Sequence, residues 1–273
     1  MKGYPVAVWR LILHGEADGA TNMAVDEAIL AAVTEGRRPP TLRFYRWSPP
    51  CLSLGRSQPL SDVDRAACAR AGVDLVRRPT GGRAIFHTDE LTYSLALPQS
   101  DLRAAGGVVE SYRRLSEGLL AGLHRLGVEA RQARPTQQKG SDPGAICFET
   151  PSDYEITVAG RKLVGSAQWR ARGGVLQHGS LPLHGDLARI VDYLALTPEE
   201  RRIRREQVHR RALTLAEALG RVVPFAEAAQ ALAAGFAQAL HLILTPAPLS
   251  REEQIAVADL RRRYLSADWT ARL

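Results

Sequence analysis

The sequence predicts an α+β protein with a helical C-terminal segment, on three grounds. Short apolar or alternating segments, typical of β-strands, are concentrated before residue 186, whereas the pattern after it is helical. The two kinds of segment do not alternate regularly, as they would in a parallel α/β fold. With 273 residues, 45% of them hydrophobic, the chain can bury a sizeable core. We therefore expect a core over residues 1–185 and a helical segment over residues 186–273 that packs on the same domain.

Eight segments have the length and composition of β-strands. Residues 41–47 alternate apolar and polar side chains, and the other segments are short apolar runs bounded by turn residues. The pairs Gly81-Gly82 and Ala159-Gly160 and the glycines at 173 and 174 predict tight turns between them. The predicted strands are residues 6–13, 41–47, 51–54, 73–77, 91–97, 154–158, 162–165 and 175–181.

The predicted helices are marked by capping residues, alanine content and three- or four-residue spacing. Polar residues precede the Ala-rich stretch that ends near Gly36, and apolar side chains from Val109 to Leu126 follow a helical period. Residues 131–145 have no periodicity and are rich in Gln, Pro, Gly and Ser, which predicts a mobile loop able to act as a lid. The predicted helices are residues 21–36, 61–70, 109–126, 199–211, 225–240 and 251–264.

The formal net charge of +7 favours an acidic partner, which could be a nucleic acid, a membrane surface or an acidic protein. Aromatic residues make up 6% and are not interleaved with basic ones, so nucleic acid is the weaker interpretation. No apolar run approaches the roughly 20 residues of a membrane span, and no cleavable leader is recognisable. We expect a cytoplasmic protein. The basic run at 199–211 is a solvated helix face or a patch that steers an acidic partner.

The three cysteines are odd in number and widely spaced. Neither a disulfide framework nor a metal-binding knuckle is indicated, and we expect no metal site. Cys51 and Cys68 lie in apolar or helical segments and are interpreted as small core residues.

Cys147 and Lys162 stand out for a different reason. Only three of the 36 basic residues are lysines, so Lys162 indicates a need for lysine chemistry. A thiol with its ordinary pKa of about 8.5 is mostly protonated at neutral pH, and a nearby ammonium lowers that pKa. Spacing alone leaves two interpretations open, an activated nucleophile and a buried inert thiol.

The segment Arg77-Arg-Pro-Thr-Gly-Gly-Arg-Ala-Ile-Phe-His87 is a candidate ligand-binding turn, because paired glycines allow close approach to the backbone. Arg78 and His87 can supply donors at its two ends, although an ordinary hairpin has the same pattern. It lacks the Gly-Lys-Ser/Thr ending of a phosphate-binding loop. His178, at the end of another predicted strand, is a structural histidine, a substrate contact or the base of a Cys/His pair.

Several motifs together resemble the biotin/lipoate protein ligase and transferase superfamily. They occur in the order found in that family and cover about residues 11–183, and the C-terminal Arg263-Tyr-Leu-Ser-Ala-Asp-Trp-Thr270 is similar to its closing helix. The motifs are Asn22-Met-Ala-Val-Asp-Glu-Ala28, Leu42-Arg-Phe-Tyr-Arg-Trp47, Leu52-Ser-Leu-Gly-Arg-Ser-Gln58, Arg77-Arg-Pro-Thr-Gly-Gly-Arg-Ala84, Glu90-Leu-Thr-Tyr-Ser94 and Lys162-Leu-Val-Gly-Ser-Ala-Gln168.

Within the superfamily the chain most resembles the LipM-type octanoyltransferases of lipoate biosynthesis. The resemblance implies a mixed or antiparallel central sheet flanked by helices. It places Cys147, in Cys147-Phe-Glu-Thr-Pro-Ser-Asp-Tyr-Glu155, at the acyl-thioester nucleophile and Lys162 at the lysine that lowers the pKa of the thiol. It also implies an acyl tunnel and substrate contacts with Arg78, Gly81, Gly82, His87, Gly165, Ser166, Gln168 and His178.

The same resemblance implies the partners and the reaction. Octanoyl-acyl carrier protein would be the donor and the lysine of a lipoyl-accepting protein, the glycine-cleavage H protein, the acceptor, with no cofactor, nucleic acid or membrane involved. ATP-dependent lipoate-protein ligases are an alternative, although they carry three glycines and a His-Asp pair where this chain has Arg83 and Thr88. Octanoyl amidotransferases between lipoyl domains are another. A non-enzymatic adaptor for acidic carrier proteins is the third, and the pairing of Cys147 with Lys162 argues against it.

Overall fold

A computed structural model of the chain describes residues 4–133 and 155–272. These residues form eleven strands, three more than predicted, and most predicted boundaries agree within a few residues. In chain order the strands are β1 Ala7–Ala17, β2 Thr41–Trp47, β3 Cys51–Leu54, β4 Asp74–Arg77, β5 Ile85–His87, β6 Glu90–Pro98, β7 Arg131–Gln132, β8 Ile156–Val158, β9 Arg161–Ala171, β10 Gly174–Pro182 and β11 Leu242–Pro246.

The described residues also form eight α-helices and two short 3₁₀ helices. α1 begins at the cap Asp18, whose carboxylate accepts from the Thr21 N–H, and α4, α5 and α7 begin with capping boxes. Two short 3₁₀ helices cover Leu60–Asp62 and Leu187–Tyr193. The α-helices are α1 Gly19–Thr34, α2 Arg65–Arg70, α3 Val108–Arg125, α4 Pro198–Arg211, α5 Leu215–Leu219, α6 Phe225–Leu240, α7 Arg251–Leu265 and α8 Ala267–Ala271.

The large sheet has eight strands in the order β11-β1-β2-β6-β10-β9-β8-β7. β1 runs parallel to both β2 and β11, and the remaining neighbours are antiparallel, so the prediction of a mixed sheet is confirmed. A second sheet, in the order β4-β3-β5, is small and pairs β3 parallel with β4 and antiparallel with β5. The glycine turn connects β4 to β5 in this small sheet.

Helices cover both faces of the large sheet. α3 and α6 share a core with Phe44, Tyr93 and Leu95 of the sheet, and Leu115, Leu119 and Leu123 of α3 are buried there as the helical period predicts. α1 lies on the opposite face, where Val25 and Ile29 meet Leu176, and α7 packs beside it. The α+β fold with flanking helices is confirmed.

The segment after residue 186 is helical except for β11, a strand that the sequence analysis did not predict. β11 lies against β1, and Glu253 of α7 forms a buried ion pair with Arg10 of β1. α8 lies against β4, where the Trp269 indole N–H donates to the Arg77 carbonyl at 2.9 Å. These contacts join the C-terminal segment to the strands of the core, and the division into a core of residues 1–185 and a segment of residues 186–273 on the same domain stays a prediction.

Residues 131–145 were predicted to be a loop. Arg131 and Gln132 instead form the edge strand β7, which pairs with β8, and residues 134–145 lie outside the described residues. Cys51 and Cys68 are buried, as predicted. Over the described ranges, no helix combines the length and apolar character needed to cross a bilayer.

Candidate active site

A cavity of about 410 Å³ lies between the glycine turn, the small sheet and strands β9 and β10. Its lining includes all eight residues that the sequence analysis assigned to substrate binding, although they come from four separate parts of the chain. Apolar side chains of Met23, Tyr45, Trp47 and Ile85 line part of the wall. The eight residues are Arg78, Gly81, Gly82, His87, Gly165, Ser166, Gln168 and His178.

The glycine turn is shaped by Arg78. Its guanidinium donates to the carbonyls of Ser53, Gly81 and Arg83 at 2.9, 2.8 and 2.7 Å, so it ties the turn to β3. Gly82 has a φ of +95°, and a Cβ at Gly55 would lie 1.9 Å from the Gly82 carbonyl oxygen. The glycines thus serve the packing of two backbone segments as well as the cavity wall.

His87 occupies a buried polar network. Its Nε2 lies 2.7 Å from the Ser53 hydroxyl, its Nδ1 lies 2.7 Å from a Glu90 oxygen, and its ring stacks on Trp47. Burial disfavours ionisation of Glu90, but His87 and the hydroxyls of Ser180 and Thr92 hold the pKa of that carboxyl below its ordinary value. Glu90 is therefore ionised, and its hydrogen bond to Nδ1 fixes the orientation of the His87 ring.

His178 links three elements. Its Nε2 lies 2.7 Å from the Thr80 hydroxyl of the glycine turn, and its Nδ1 lies 3.5 Å from Asp26 of α1. Burial lowers the pKa of His178, so the neutral ring predominates at neutral pH. Burial also opposes ionisation of Asp26, yet Arg43 holds the pKa of that carboxyl below its ordinary value.

Ser166 and Gln168 belong to a hydrogen-bonded network that crosses strands β6, β10 and β9. Tyr93 donates its hydroxyl proton to the Ser166 hydroxyl at 2.7 Å and accepts from the Gln177 amide at 3.1 Å. The Gln168 amide donates to the Gln177 side-chain oxygen at 3.1 Å. The network orients one polar wall of the cavity.

Lys162 is buried on β9 and forms a close ion pair with Glu155. Glu155 lines the cavity, whereas Lys162 lies behind it. The hairpin of β8 and β9 brings the two residues close together, because Thr157 faces Lys162 and Glu155 lies just before β8, next to a register shift between Ile156 and Thr157. Cys147, the predicted nucleophile, lies outside the described residues.

The family called lipoyl protein ligase A/B catalytic domain matches residues 18–237 of the chain. The chain belongs to this family. Its similarity to other proteins extends over almost the whole chain. The octanoyltransferase LipM of Symbiobacterium thermophilum is 46% identical over 273 residues, covering 97% of this chain and 98% of that protein. LipM of Kyrpidia tusciae is 43% identical over 270 residues, covering 97% and 98%.

Solved structures of the lipoyl ligase type share the fold. A bipartite lipoate protein ligase from Thermoplasma acidophilum, studied with its E2 lipoyl domain, superposes with a TM-score of 0.81 at 24% identity, covering 97% of each chain. A lipoate-protein ligase A bound with ATP gives a TM-score of 0.78 at 25% identity, covering 97% of this chain and 99% of that one. The predicted superfamily is confirmed, and so is the prediction of an octanoyltransferase of lipoate biosynthesis.

Several polar residues of the site in this lipoyl ligase-type domain were not predicted from the sequence. Glu155 stood at the end of the quoted cysteine motif, and Asp26 and Glu90 stood inside quoted motifs, yet none was given a role. An acidic residue in a segment of apolar strand residues is the signal that could have identified Glu90. Among the described residues, no group of three or more His, Cys, Asp or Glu side chains is arranged to hold a metal ion.

Proposed function

We propose that the chain moves an octanoyl group from acyl carrier protein to a lysine of a lipoyl-accepting protein through a thioester on Cys147. The observation that carries the proposal is the position of Glu155. This residue ends the cysteine motif, lines the cavity and binds the ammonium of Lys162. The last residue of the motif that contains Cys147 therefore lies in the cavity wall beside Lys162.

The first step is transfer of the acyl group from one sulfur to another. The Cys147 thiolate, favoured by the ammonium of Lys162, attacks the carbonyl carbon of the octanoyl thioester, and the phosphopantetheine thiol leaves. One thioester replaces another, so the step is close to thermoneutral and requires no ATP. No cofactor enters this proposal.

The second step forms the amide. The ε-amine of the acceptor lysine attacks the enzyme thioester, and the thiol of Cys147 is released. Backbone N–H groups at Gly165 or Ser166, or the ammonium of Lys162, would donate to the oxyanion, and one well-placed donor contributes about 3 kcal/mol. Conversion of a thioester to an amide is downhill, which gives the sequence of steps its direction.

The octanoyl chain would occupy the apolar side of the cavity, beside Met23, Tyr45 and Trp47. Each buried methylene contributes about 0.8 kcal/mol, so burial of the whole chain in the cavity favours eight carbons over shorter chains. The acceptor we propose is the glycine-cleavage H protein. A lipoyl-accepting protein as partner is supported by the archaeal lipoylation system, in which a lipoate protein ligase is described together with its E2 lipoyl domain.

Intact-mass spectrometry tests the proposal. Incubation with octanoyl-acyl carrier protein should add one octanoyl group, which peptide mapping should place on Cys147, and addition of apo H protein should remove it. Cys147→Ala should show neither the adduct nor transfer.

Cys68→Ala is the matched control, because Cys68 is a buried thiol of the small-sheet core and does not line the cavity. It should acquire the adduct as the unaltered protein does. Full transfer by Cys147→Ala would exclude the proposed mechanism.

A further inference from the structure

We propose that Glu155 receives the ε-ammonium of the acceptor lysine and takes its proton, so that the amine can attack the octanoyl thioester. This inference rests on the proposed function, in which a lysine is the acceptor. It gives Glu155 a catalytic role in the second step, in addition to its contact with Lys162.

The location of Glu155 supports this role. It lies immediately before β8, where its backbone carbonyl accepts from the Ala133 N–H at 2.7 Å, and this bond continues the pairing of β7 with β8. Its side chain is 5% exposed and lines the cavity, whereas Lys162 does not. A group that enters the cavity would meet the carboxylate before it meets the ammonium.

The charges around the cavity explain why a carboxylate is needed there. Arg78 and Arg83 both line the cavity and would repel an incoming ammonium. Among the described residues that line the cavity, Glu155 is the one with a carboxylate. The carboxylates of Asp26 and Glu90 lie behind the cavity wall, where they bind Arg43 and His87. Glu155 is thus the lining residue whose carboxylate oxygens can accept from a lysine side chain, beside the ammonium of Lys162 that it already binds.

The chemistry requires a base at this point. An unperturbed lysine has a pKa of about 10.4, so at neutral pH almost all of the acceptor is a non-nucleophilic ammonium. One proton of the ammonium moves to a Glu155 oxygen, and the nitrogen lone pair forms the bond to the thioester carbon. The tetrahedral intermediate then breaks its C–S bond, and a second proton passes from nitrogen to the departing sulfur of Cys147.

The proton count of this step is complete when Glu155 returns its proton to water. An ammonium and a thioester become an amide, a thiol and one released proton. Lys162 keeps its proton throughout, and its hydrogen bond to Glu155 Oε1 orients the carboxylate. A Glu155→Gln side chain retains an oxygen for this hydrogen bond but can neither attract the ammonium by charge nor accept its proton.

The test separates the two half-reactions of the full-length enzyme. Glu155→Gln is first loaded with octanoyl-acyl carrier protein, and the adduct on Cys147 is then discharged with apo H protein or with hydroxylamine, which is largely uncharged at neutral pH. We expect loading within a few-fold of the unaltered enzyme. Discharge by H protein should slow by about 100-fold or more, the usual contribution of a general base, while discharge by hydroxylamine changes little.

Glu217→Gln is the matched control. It removes a carboxylate that pairs with Arg161, the residue next to Lys162 on β9, at a half-exposed site away from the cavity lining. Both discharge rates should match those of the unaltered enzyme. If Glu155→Gln does not fold, Glu155→Asp keeps the charge on a shorter side chain, and it should slow only the discharge by H protein.

Two results would overturn the inference. Equal slowing of both nucleophiles would place Glu155 in the activation of the thioester, and loss of loading would place it in the first step through Lys162. Absence of an adduct on Cys147 of the unaltered enzyme is a different result, because it would reject the proposed function itself.

Discussion

The identity of residue 162 matters because of the size and shape of its buried site. Lys162 meets Glu155 with side chains that are each 5% exposed. An arginine would keep the positive charge but would place a planar, wider group with fixed donor directions in a space that holds a compact ammonium. The scarcity of lysine in this chain is therefore consistent with a site that needs this geometry.

We predict that Lys162→Arg loses at least about 100-fold in the rate of Cys147 octanoylation, because a misplaced cation no longer favours the thiolate. The rate is measured by intact-mass spectrometry at early times. Arg161→Lys is the control, since Arg161 is the neighbouring, half-exposed cation, and its octanoylation rate should stay within a few-fold. A Lys162→Arg enzyme of normal rate would show that charge alone is sufficient.

Two histidines link stability to pH. Burial lowers the pKa of His178 and, with help from Arg43, the pKa of His14 below the ordinary value. Between each folded pKa and the unfolded value of about 6.5, the unfolded chain binds more protons than the folded one. Stability from these rings is therefore fully present above about pH 6.5 and is lost as pH falls through the folded pKa values.

The free energy of unfolding should accordingly decrease as the pH falls below about 6.5, and His178→Gln should weaken that dependence. Chemical denaturation at a series of pH values measures it. His14→Gln should also weaken the pH dependence of the free energy of unfolding, because the pKa of His14 is lowered too. The two effects should add in the double variant. An unchanged pH dependence in His178→Gln would contradict the assigned neutral state of this ring.

At the scale of elements, the contact between α3 and α6 depends on glycine. A Cβ at Gly235 of α6 would lie 2.1 Å from the backbone nitrogen of Gly122 in α3, and a Cβ at Gly122 would lie 2.7 Å from the Leu232 Cα. The two backbones are therefore in direct contact. This contact brings Phe236 against Tyr93 in the layer below, where the ring centroids are 5.8 Å apart.

We predict that Gly235→Ala destabilises the protein by about 1–3 kcal/mol, because the added methyl overpacks the helix contact. The higher helix propensity of alanine, worth about 1 kcal/mol, would have the opposite sign. Gln230→Ala, on the exposed side of the same helix, should change the free energy of unfolding by less than about 0.5 kcal/mol. Urea denaturation distinguishes the two, and a stabilised Gly235→Ala would contradict the contact.

Elements with a local signal were predictable, and elements that depend on a distant partner were not. The periodicity of α3 and the alternation of β2 were sufficient to predict them, and α1 was predicted from polar residues beginning at Thr21, although its cap is Asp18. β5, β7 and β11 contain three, two and five residues, and each is a strand because a neighbouring strand pairs with it. Length is not the whole reason, because β3 and β4, with four residues each, and β8, with three, were predicted from apolar runs bounded by turn residues.

At the scale of the whole molecule, the formal net charge is +7. In the basic helix α4, Arg202 pairs with Glu199 and Glu206, and Arg205 pairs with Asp192. Local carboxylates therefore offset part of the charge of this helix. Its role in steering an acidic partner stays a prediction.

If long-range attraction guides an acidic carrier protein, kcat/KM for octanoyl-acyl carrier protein should fall about tenfold or more from low to high ionic strength. Octanoyl-pantetheine, a small uncharged donor, is the control and should show little salt dependence. Turnover with the carrier protein that does not vary with salt would exclude a role for the net charge in association.

The sequence by itself determined the fold class, the order of most elements and eight of the residues that line the cavity, because periodicity and turn residues are local properties and the motifs resemble those of a known family. Only the tertiary structure decided which charged groups meet. Glu155 contacts Lys162 seven positions away, Asp26 contacts Arg43 from another element, and Arg10 meets Glu253 across 243 positions. Such pairs depend on how strands and helices pack, since burial makes a partner necessary but does not specify which one is within reach.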